Sequence, residues 1–284
     1  MKTAVVTYIY SAGLSFLPDF LQSLATQSDQ DFDLFIFNDG VERLDSYLKD
    51  CKKKYTILPV RGTVVEIRFH SISKLDDTNF DAFIFQDIDD RMSANRVQKC
   101  RELLQHYPLV CNDLSLVDDK GNSITTSTWS ARLQDGFEFD HSFIADKNIA
   151  GLGNTAIRRS LLNNSIQFHS SPRAADWFIF YQLLYQSGIR AVFTSGCQTI
   201  YRQHVNNTAG LKEADTVRLK QVVQVSRQHY TGLTETGYTL MNEHRLAMIA
   251  IEKLLAQNNY QYLPPVSHEN LYWWEEQNYL YEKN

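Results

Sequence analysis

Between Ala4 and Gly40 the chain reads AVVTYIYSAGLSFLPDFLQSLATQSDQDFDLFIFNDG. Two apolar runs, Ala4 to Tyr10 and Asp33 to Gly40, are short and rich in β-branched and aromatic residues, and the second closes on a turn signal, Asn-Asp-Gly. Leu14 to Ser28, between them, repeats its apolar residues at helical spacing. Strand, amphipathic helix and strand make a βαβ unit, whose crossover is right-handed and whose strands run parallel. Ligands of such sheets collect outside the carboxyl ends of the strands. Tyr8, Tyr10 and Asp39 therefore stand near the expected functional edge. The two tyrosines read either as a base-stacking pair or as core and rim aromatics. Asp39 reads either as a carboxylate that accepts the N3–H of a uracil or as the residue holding an Asx-turn.

The alternation continues. VERLDSYLKDCKKK (Val41 to Lys54) predicts a helix, YTILPV (Tyr55 to Val60) a short strand, TVVEIRFHSISKL (Thr63 to Leu75) a helix despite its β-branched start, and NFDAFIFQDIDD (Asn79 to Asp90) another strand. That last run brings Asp87, Asp89 and Asp90 to the functional edge, where their charges repel. If the strand continues, Asp87 and Asp89 share one side and Asp90 takes the other. A bound Mg²⁺ or Mn²⁺ relieves the repulsion, uses the carboxylate oxygens as ligands and keeps positions open for diphosphate oxygens. The plainer reading is an acidic turn capping the next helix.

SANRVQKCRELLQHY predicts a helix with Ser93 as N-cap, and LVCNDLSLVDDKGNSI a hairpin turning at Asp119 to Asn122. Thr125 to Gly153 is polar, aromatic and irregular, in the manner of a segment covering a site. AADWFIFYQLLYQSG is a strong helix ended by Gly188. Asp176 lies at its start, where the macrodipole favours an ionised side chain, as a capping acid or a functional carboxylate. AVFTSGCQTIYRQH returns as strand and loop; Arg202 suits a diphosphate and His204 a metal, and both also suit a plain surface. From Leu211 the sequence is mostly helical and ends in the aromatic tail LYWWEEQNYLY, read as an interface for a partner or a membrane surface, or as aromatics folded back on the domain.

The 284 residues, 43% hydrophobic and 12% aromatic, can bury one large core with a helical appendage. A formal net charge of −5 argues against nucleic acid as a partner, since phosphate binding needs excess Lys and Arg. Lys52 to Lys54 read as a solvated helix end. Cys51, Cys100, Cys111 and Cys197 form no C-x-x-C pair and no zinc spacing, and read as the reduced thiols of a cytoplasmic protein. MKTAVVTYIYSAGLSFL has the outline of a signal peptide, but its single Lys, its Thr and its two Tyr make it a first buried strand. No 18-residue apolar segment exists.

Taken in order, TYIYS (Thr7 to Ser11), NDG (Asn38 to Gly40), DIDD (Asp87 to Asp90), ADW (Ala175 to Trp177) and YRQH (Tyr201 to His204) resemble the T-Y-N, D-D-G, D-x-D, E-D and Y-R-x-H motifs of family 2 glycosyltransferases of the GT-A fold, of bacterial type. The resemblance runs from about Lys2 to Gly210. It implies an α/β fold with a GT-A-like (Rossmann-like), mostly parallel sheet flanked by helices. Residues 1–210 would then be the nucleotide-sugar-binding and catalytic domain, and 211–284 a helical C-terminal region packed on it. It further implies an inverting, metal-dependent hexosyltransferase-like enzyme using Mn²⁺ or Mg²⁺. Its donor is a nucleotide-diphosphate sugar, UDP-linked, and its acceptor a glycan or lipid-linked hydroxyl, in the cytoplasm or at the inner face of the membrane, as in cell-surface polysaccharide synthesis. By the same resemblance Tyr8, Tyr10 and Asp39 hold the base, Arg68 approaches the donor, Asp87 meets the ribose or sugar, and Asp89 with His204 ligates the metal. Arg202 closes over the diphosphate, and Asp176 is the general base. The chain departs from the pattern at Ser11, Asn38 and Ala175. Two rival readings are a non-catalytic sugar-nucleotide-binding or scaffold protein of the same fold, and a phosphohydrolase of the haloacid dehalogenase type. The second normally carries its acidic strand first in the fold and a Thr or Val after it, where this chain has Arg91.

Overall fold

Thr3 to Ile9 are all buried, because the strand they form lies inside a sheet with helices on both faces. In the computed structural model, which describes residues 1–163, 166–204 and 216–257, the strands are β1 (Thr3–Tyr10), β2 (Asp33–Asp39), β3 (Tyr55–Val60), β4 (Ala82–Phe85), β5 (Arg91–Met92), β6 (Leu109–Val117), β7 (Ser123–Thr125), β8 (Glu138–Phe139), β9 (Thr155–Arg158) and β10 (Ala191–Arg202). The helices are α1 (Leu17–Ala25), α2 (Val64–Asp76), α3 (Arg96–Leu103), α4 (Ala175–Ser187), α5 (Thr216–Glu235) and α6 (Asn242–Ala256). The sheet runs β3-β2-β1-β4-β9-β6-β10-β5, with β7 added to β6 and β8 to β10. β3, β2, β1 and β4 are mutually parallel, as are β6 and β10; β9 enters antiparallel between β4 and β6.

The period-two alternation of β1 divides the core in two. Ala4, Val6 and Tyr8 join Phe83, Phe85, Ile67 and Phe180 on the face covered by α2 and α4. Val5 and Ile9 join Leu17, Phe20, Ile84 and Val97 on the face covered by α1 and α3. α5 lies on the α4 side: His229 stacks on Trp177 with ring centroids 3.7 Å apart, and a Cβ on Gly232 would come within 2.8 Å of Pro172.

α2 forms despite its β-branched start because Thr63 and Glu66 make a capping box: the Thr63 hydroxyl accepts from the Glu66 N–H, and the Glu66 carboxylate accepts from the Thr63 N–H at 2.7 Å. Gly188, at φ +61°, supplies the left-handed end of α4. The expected hairpin forms, with Asp118 rather than Asp119 opening its turn: the Asp118 carboxylate accepts from the N–H groups of Lys120 and Asn122.

Three expectations are corrected. Val41 to Lys54 is not a helix; it holds one short 3₁₀ turn at Leu44–Ser46 after Arg43, which has a positive φ of 52°. Val41, Leu44 and Leu48 are buried at helix-like spacing, but they are pinned from a turn. The Asn38 amide closes that turn by donating to the Val41 carbonyl at 2.9 Å and accepting from the Val41 N–H at 2.8 Å. An aspartate here can only accept, so Asn38 makes a clamp that the family's first Asp cannot. Second, β4 ends at Phe85, and Asp87 to Asp90 is a turn closed by an Asp90 N–H bond to the Asp87 carbonyl at 3.3 Å. The carboxylates are therefore set by a turn and not by strand alternation. Third, α3 begins at Arg96 behind Asn95, without a side-chain cap. Ser93 instead ties two segments, its hydroxyl accepting from the Gln198 N–H at 2.9 Å and donating to Asn95 at 3.1 Å.

The N-terminal run is strand, as read. Cys100, Cys111 and Cys197 are buried free thiols, and Cys51 is half-buried and free. No helix among the described residues is long and apolar enough to cross a membrane. The tail LYWWEEQNYLY and the stretch 205–215 lie outside the described residues.

Candidate active site

The carboxyl ends of β1, β2 and β4 and the end of β10 meet around the DIDD turn. Tyr10 ends β1 in register with Asp39 at the end of β2. The 3₁₀ turn Ser11–Phe16 then folds over Ile88, so closely that a Cβ on Gly13 would stand 2.7 Å from the Ile88 side chain and 3.2 Å from the Tyr10 ring. Glycine is required there for close approach rather than for a positive φ.

Each acidic residue of the turn has a different partner. Asp87 faces the Arg68 guanidinium at 3.5 Å. Arg68 in turn lies 3.4 Å over the Tyr8 ring, and Tyr8 also stacks against Phe37. Asp89 meets His204 at 3.0 Å between Oδ2 and Nε2, and His204 stacks on Phe16 with centroids 5.0 Å apart. Asp90 is buried; its Oδ1 accepts from the Arg202 N–H at 2.8 Å, while its Oδ2 has no partner among the described residues. Arg202 itself is buried, and its guanidinium donates to the Asp89 carbonyl at 3.1 Å, to the Asp119 carbonyl at 3.1 Å and to the Asp19 carboxylate.

On the other side of the turn, Asp176 sits in the first turn of α4. Its Oδ1 accepts from the Trp177 N–H at 2.8 Å and from the Asn148 amide at 3.3 Å. Asp87, Asp90 and Asp176 line one cavity of ≈ 80 Å³ together with Asn148, Gly153 and Trp129. A Cβ on Gly153 would stand 3.1 Å from the Asp87 carboxylate and 3.4 Å from that of Asp90, so any side chain there would intrude on the acidic wall.

So many carboxylates in so little water leave a deficit of positive charge. Burial pushes Asp87 up to about 6; Arg68 pulls it down, and the charges of Asp89 and Asp176 raise it further. Asp90 is driven well above the usual carboxylate range by burial and then by Asp89 and Asp87. Asp176 is raised by burial, against which the Trp177 N–H and the Asn148 amide hold its ionised form. Burial and the carboxylates of Asp89 and Asp87 push the Tyr10 hydroxyl upward as well. A divalent cation would restore the balance.

No group of three His, Cys, Asp or Glu side chains at metal-binding distances exists among the described residues. One pair, hydrogen-bonded to each other, has the spacing of two adjacent ligands. Adjacent ligands of an octahedral ion with bonds of about 2.1 Å stand about 3.0 Å apart, and Asp89 Oδ2 and His204 Nε2 have that separation.

Of the residues singled out from sequence, Tyr10, Arg68, Asp87, Asp89, Asp176, Arg202 and His204 thus come together, and Asp39 ends its strand beside Tyr10. Tyr8 is not brought to the open edge: it is 4% exposed, with its ring between core aromatics and Arg68.

Four further residues shape the site. Arg96 is fully buried and ties the end of β4 to β6, donating to the Phe85 carbonyl at 2.8 Å, to Asn112 at 2.6 Å and to Gln86. The Asp113 carboxylate accepts from the N–H groups of Leu114, Thr128 and Trp129 and from the Ser130 hydroxyl, fixing the loop that carries Trp129. Asn154 braces the loop beneath the cavity, donating to the carbonyls of Ile149 and Asn112 and accepting from the Gly151 N–H. Asn148 holds Asp176. The sequence signal for Arg96 is a lone cation beside Val97 and Cys100; for the others, all polar residues in or beside non-periodic stretches, there is none.

No protein-family model matches the chain, and no curated protein matches it in sequence. Solved structures do. The crystal structure of S. aureus TarS residues 1–349 in complex with UDP-GlcNAc superposes with a TM-score of 0.59 at 13% identity, over 96% of this chain and 78% of that one. GalNAc-T7 with UDP, GalNAc and Mn²⁺ superposes with a TM-score of 0.55 at 14% identity, over 95% of this chain and 53% of that one. The curled, mostly parallel sheet flanked by helices is shared with these GT-A glycosyltransferases, and the chain has their fold.

Proposed function

We propose that the protein is an inverting glycosyltransferase that moves a sugar from a UDP-linked donor to a hydroxyl of a glycan or lipid-linked acceptor. The observation that carries this reading is the shared cavity: Asp176, held at the start of α4, faces the same ≈ 80 Å³ space as Asp87, on the flank of the turn whose Asp89 pairs with His204. One side of that turn suits a nucleotide diphosphate and the other a nucleophile.

On this reading Asp39 and Tyr10 receive the base at the ends of β2 and β1, and Arg68 fixes Asp87 beside the donor sugar. Asp89 and His204 would hold Mn²⁺ or Mg²⁺, which would supply positive charge at the diphosphate end. Arg202 adds a guanidinium at the same end. The Asp176 carboxylate takes the proton of the acceptor hydroxyl as its oxygen attacks the anomeric carbon opposite the diphosphate, so that one displacement inverts the centre. Ala175, where the family pattern has Glu, leaves Asp176 as the carboxylate at this helix start. We assign catalysis to residues 1–210; of the C-terminal region, the described helices α5 and α6 pack together, with α5 against α4. The UDP, UDP-GlcNAc and Mn²⁺ carried by the neighbouring structures support the choice of donor and ion.

Calorimetry of the protein with UDP and UDP-GlcNAc, with and without Mn²⁺, tests this. Binding that requires the metal is expected. Absence of binding for both nucleotides in both conditions would overturn the reading.

A further inference from the structure

Asn148 lies in the irregular stretch between β8 and β9, yet its position is fixed from several sides. The Ile144 carbonyl accepts from the Trp177 indole at 2.6 Å, and the Ala145 carbonyl accepts from the Tyr230 hydroxyl at 3.1 Å. On the far side the Ile149 carbonyl accepts from Asn154 at 3.0 Å and from the Cys111 thiol at 2.9 Å. The loop therefore offers Asn148 to the cavity as a rigid element does. The residue is 6% exposed.

The direction of the amide follows from its neighbour. An ionised carboxylate only accepts, so the Asn148 nitrogen must face Asp176, which it does at 3.3 Å. That choice turns Oδ1 away, and Oδ1 is buried with no partner among the described residues. A buried amide oxygen left unpaired costs free energy that a ligand can return.

We propose that Asn148 is the positioning residue of the general base: its Nδ2 orients the Asp176 carboxylate, and its Oδ1 accepts a second hydrogen from the nucleophile. In hydrolysis that hydrogen is the other proton of water; in transfer it is that of a second hydroxyl beside the attacking one. The inference rests on the transferase reading for the role of Asp176, but its first half is measurable without any substrate.

The groups facing Asp176 are Asn148, the Trp177 and Leu152 N–H groups, Arg68 and Asp87. Removing the amide donor leaves the others in place. In protein carrying ¹³C-labelled aspartate carboxyls, with the Asp176 signal assigned by its loss in Asp176→Asn, the titration midpoint of Asp176 is expected to rise by about half a unit or more in Asn148→Ala. It should rise further in the isosteric Asn148→Asp, which sets a second carboxyl beside the first. An unmoved midpoint in both variants, each checked for a native melting curve, overturns the proposal.

The second readout is UDP release from UDP-GlcNAc in Mn²⁺ with water as acceptor. In Asn148→Ala kcat is expected to fall about tenfold at the plateau with the donor KM unchanged, and the acidic limb of the pH profile to move upward with the midpoint. A raised donor KM at constant kcat would assign Asn148 to donor binding and overturn the proposal. If the wild-type protein binds neither UDP nor UDP-GlcNAc, the transferase reading fails, while the carboxyl titration still judges whether Asn148 orients Asp176.

Discussion

Replacing Asp176 with Asn separates its two roles. Asp176 serves α4 by accepting the Trp177 N–H at 2.8 Å, and Ala174 at the N-cap position offers no side-chain bond. The asparagine oxygen can keep that bond and the one from Asn148, so the helix loses no acceptor. Burial raises the Asp176 pKa, which means that its ionised form is disfavoured in the fold. The neutral amide removes that penalty at pH 7, and stability should change by less than about 1 kcal/mol, or rise slightly. Donor affinity should persist, since the groups proposed to face the diphosphate, Asp89, His204 and Arg202, are untouched. Turnover should fall at least about a hundredfold, the lower end of what a positioned base contributes, or about 2.7 kcal/mol in the barrier. The assay is UDP release at saturating UDP-GlcNAc and Mn²⁺, beside a melting curve. The charge of Asp176 also helps to raise Asp87, so the Asp87 titration should move down from about 6 in the same mutant. A variant that keeps more than a tenth of the turnover removes Asp176 from the chemistry, and one that melts early with turnover lost in proportion assigns it to the helix start alone.

Asp89→Ala should abolish metal-dependent UDP binding while leaving the apo protein as stable as its parent, because it relieves the repulsion on Asp87 and Asp90; calorimetry in which the mutant binds as tightly as the parent would show that the ion is held elsewhere. Arg96→Met should cost about 3 kcal/mol or more, since it strands the acceptors of Phe85, Gln86 and Asn112 inside the sheet; an unchanged urea midpoint would refute that account. His229 is fully buried with neither ring nitrogen partnered among the described residues, and burial holds its pKa well below the usual imidazole value. The unfolded chain therefore takes up a proton as the pH drops through about 6.5 when the native state does not, and stability is lost in that direction. His229→Phe keeps the stack on Trp177, so its advantage over wild type should grow between pH 7.5 and pH 5; a constant difference in urea midpoint would contradict this.

The parallel half of the sheet was legible because β1 and β2 are bounded apolar runs with an amphipathic helix between them, and because the acidic turn follows directly on a third such run. Elsewhere local pattern and tertiary structure part company. Val41, Leu44 and Leu48 have helical spacing, yet Asn38 and the left-handed Arg43 make them anchors of a turn. β9 was not read as a strand at all, since TAIR is four residues long and its pairing with both β4 and β6 is set by distant sequence. The site was legible where its residues end strands or begin a helix. Asn148 and Asn154 were not, because a polar residue in an irregular segment has no period to betray which way it faces, and Asp113 was not, because β6 is buried almost throughout and shows no alternation to mark a polar residue as inward. Arg96 was hidden by the opposite rule, a cation expected outside that the ends of β4 and β6 require inside.

Arg202 has a consequence for how an anion enters. Its guanidinium already donates to the carbonyls of Asp89 and Asp119 and to Asp19, and the Asp19 side chain is half-exposed, at 54%. The two carbonyls hold the fork in place, and on the proposed reading a phosphate oxygen would take the place of the Asp19 carboxylate. Arrival of a diphosphate at Arg202 would then be a substitution of one oxyanion for another, with the outgoing carboxylate returned to water. The rotamer entropy of the arginine is spent in folding and not in binding. Selectivity at this point rests on the difference between two anions, and a monoanion with the basicity of a carboxylate gains nothing by entering.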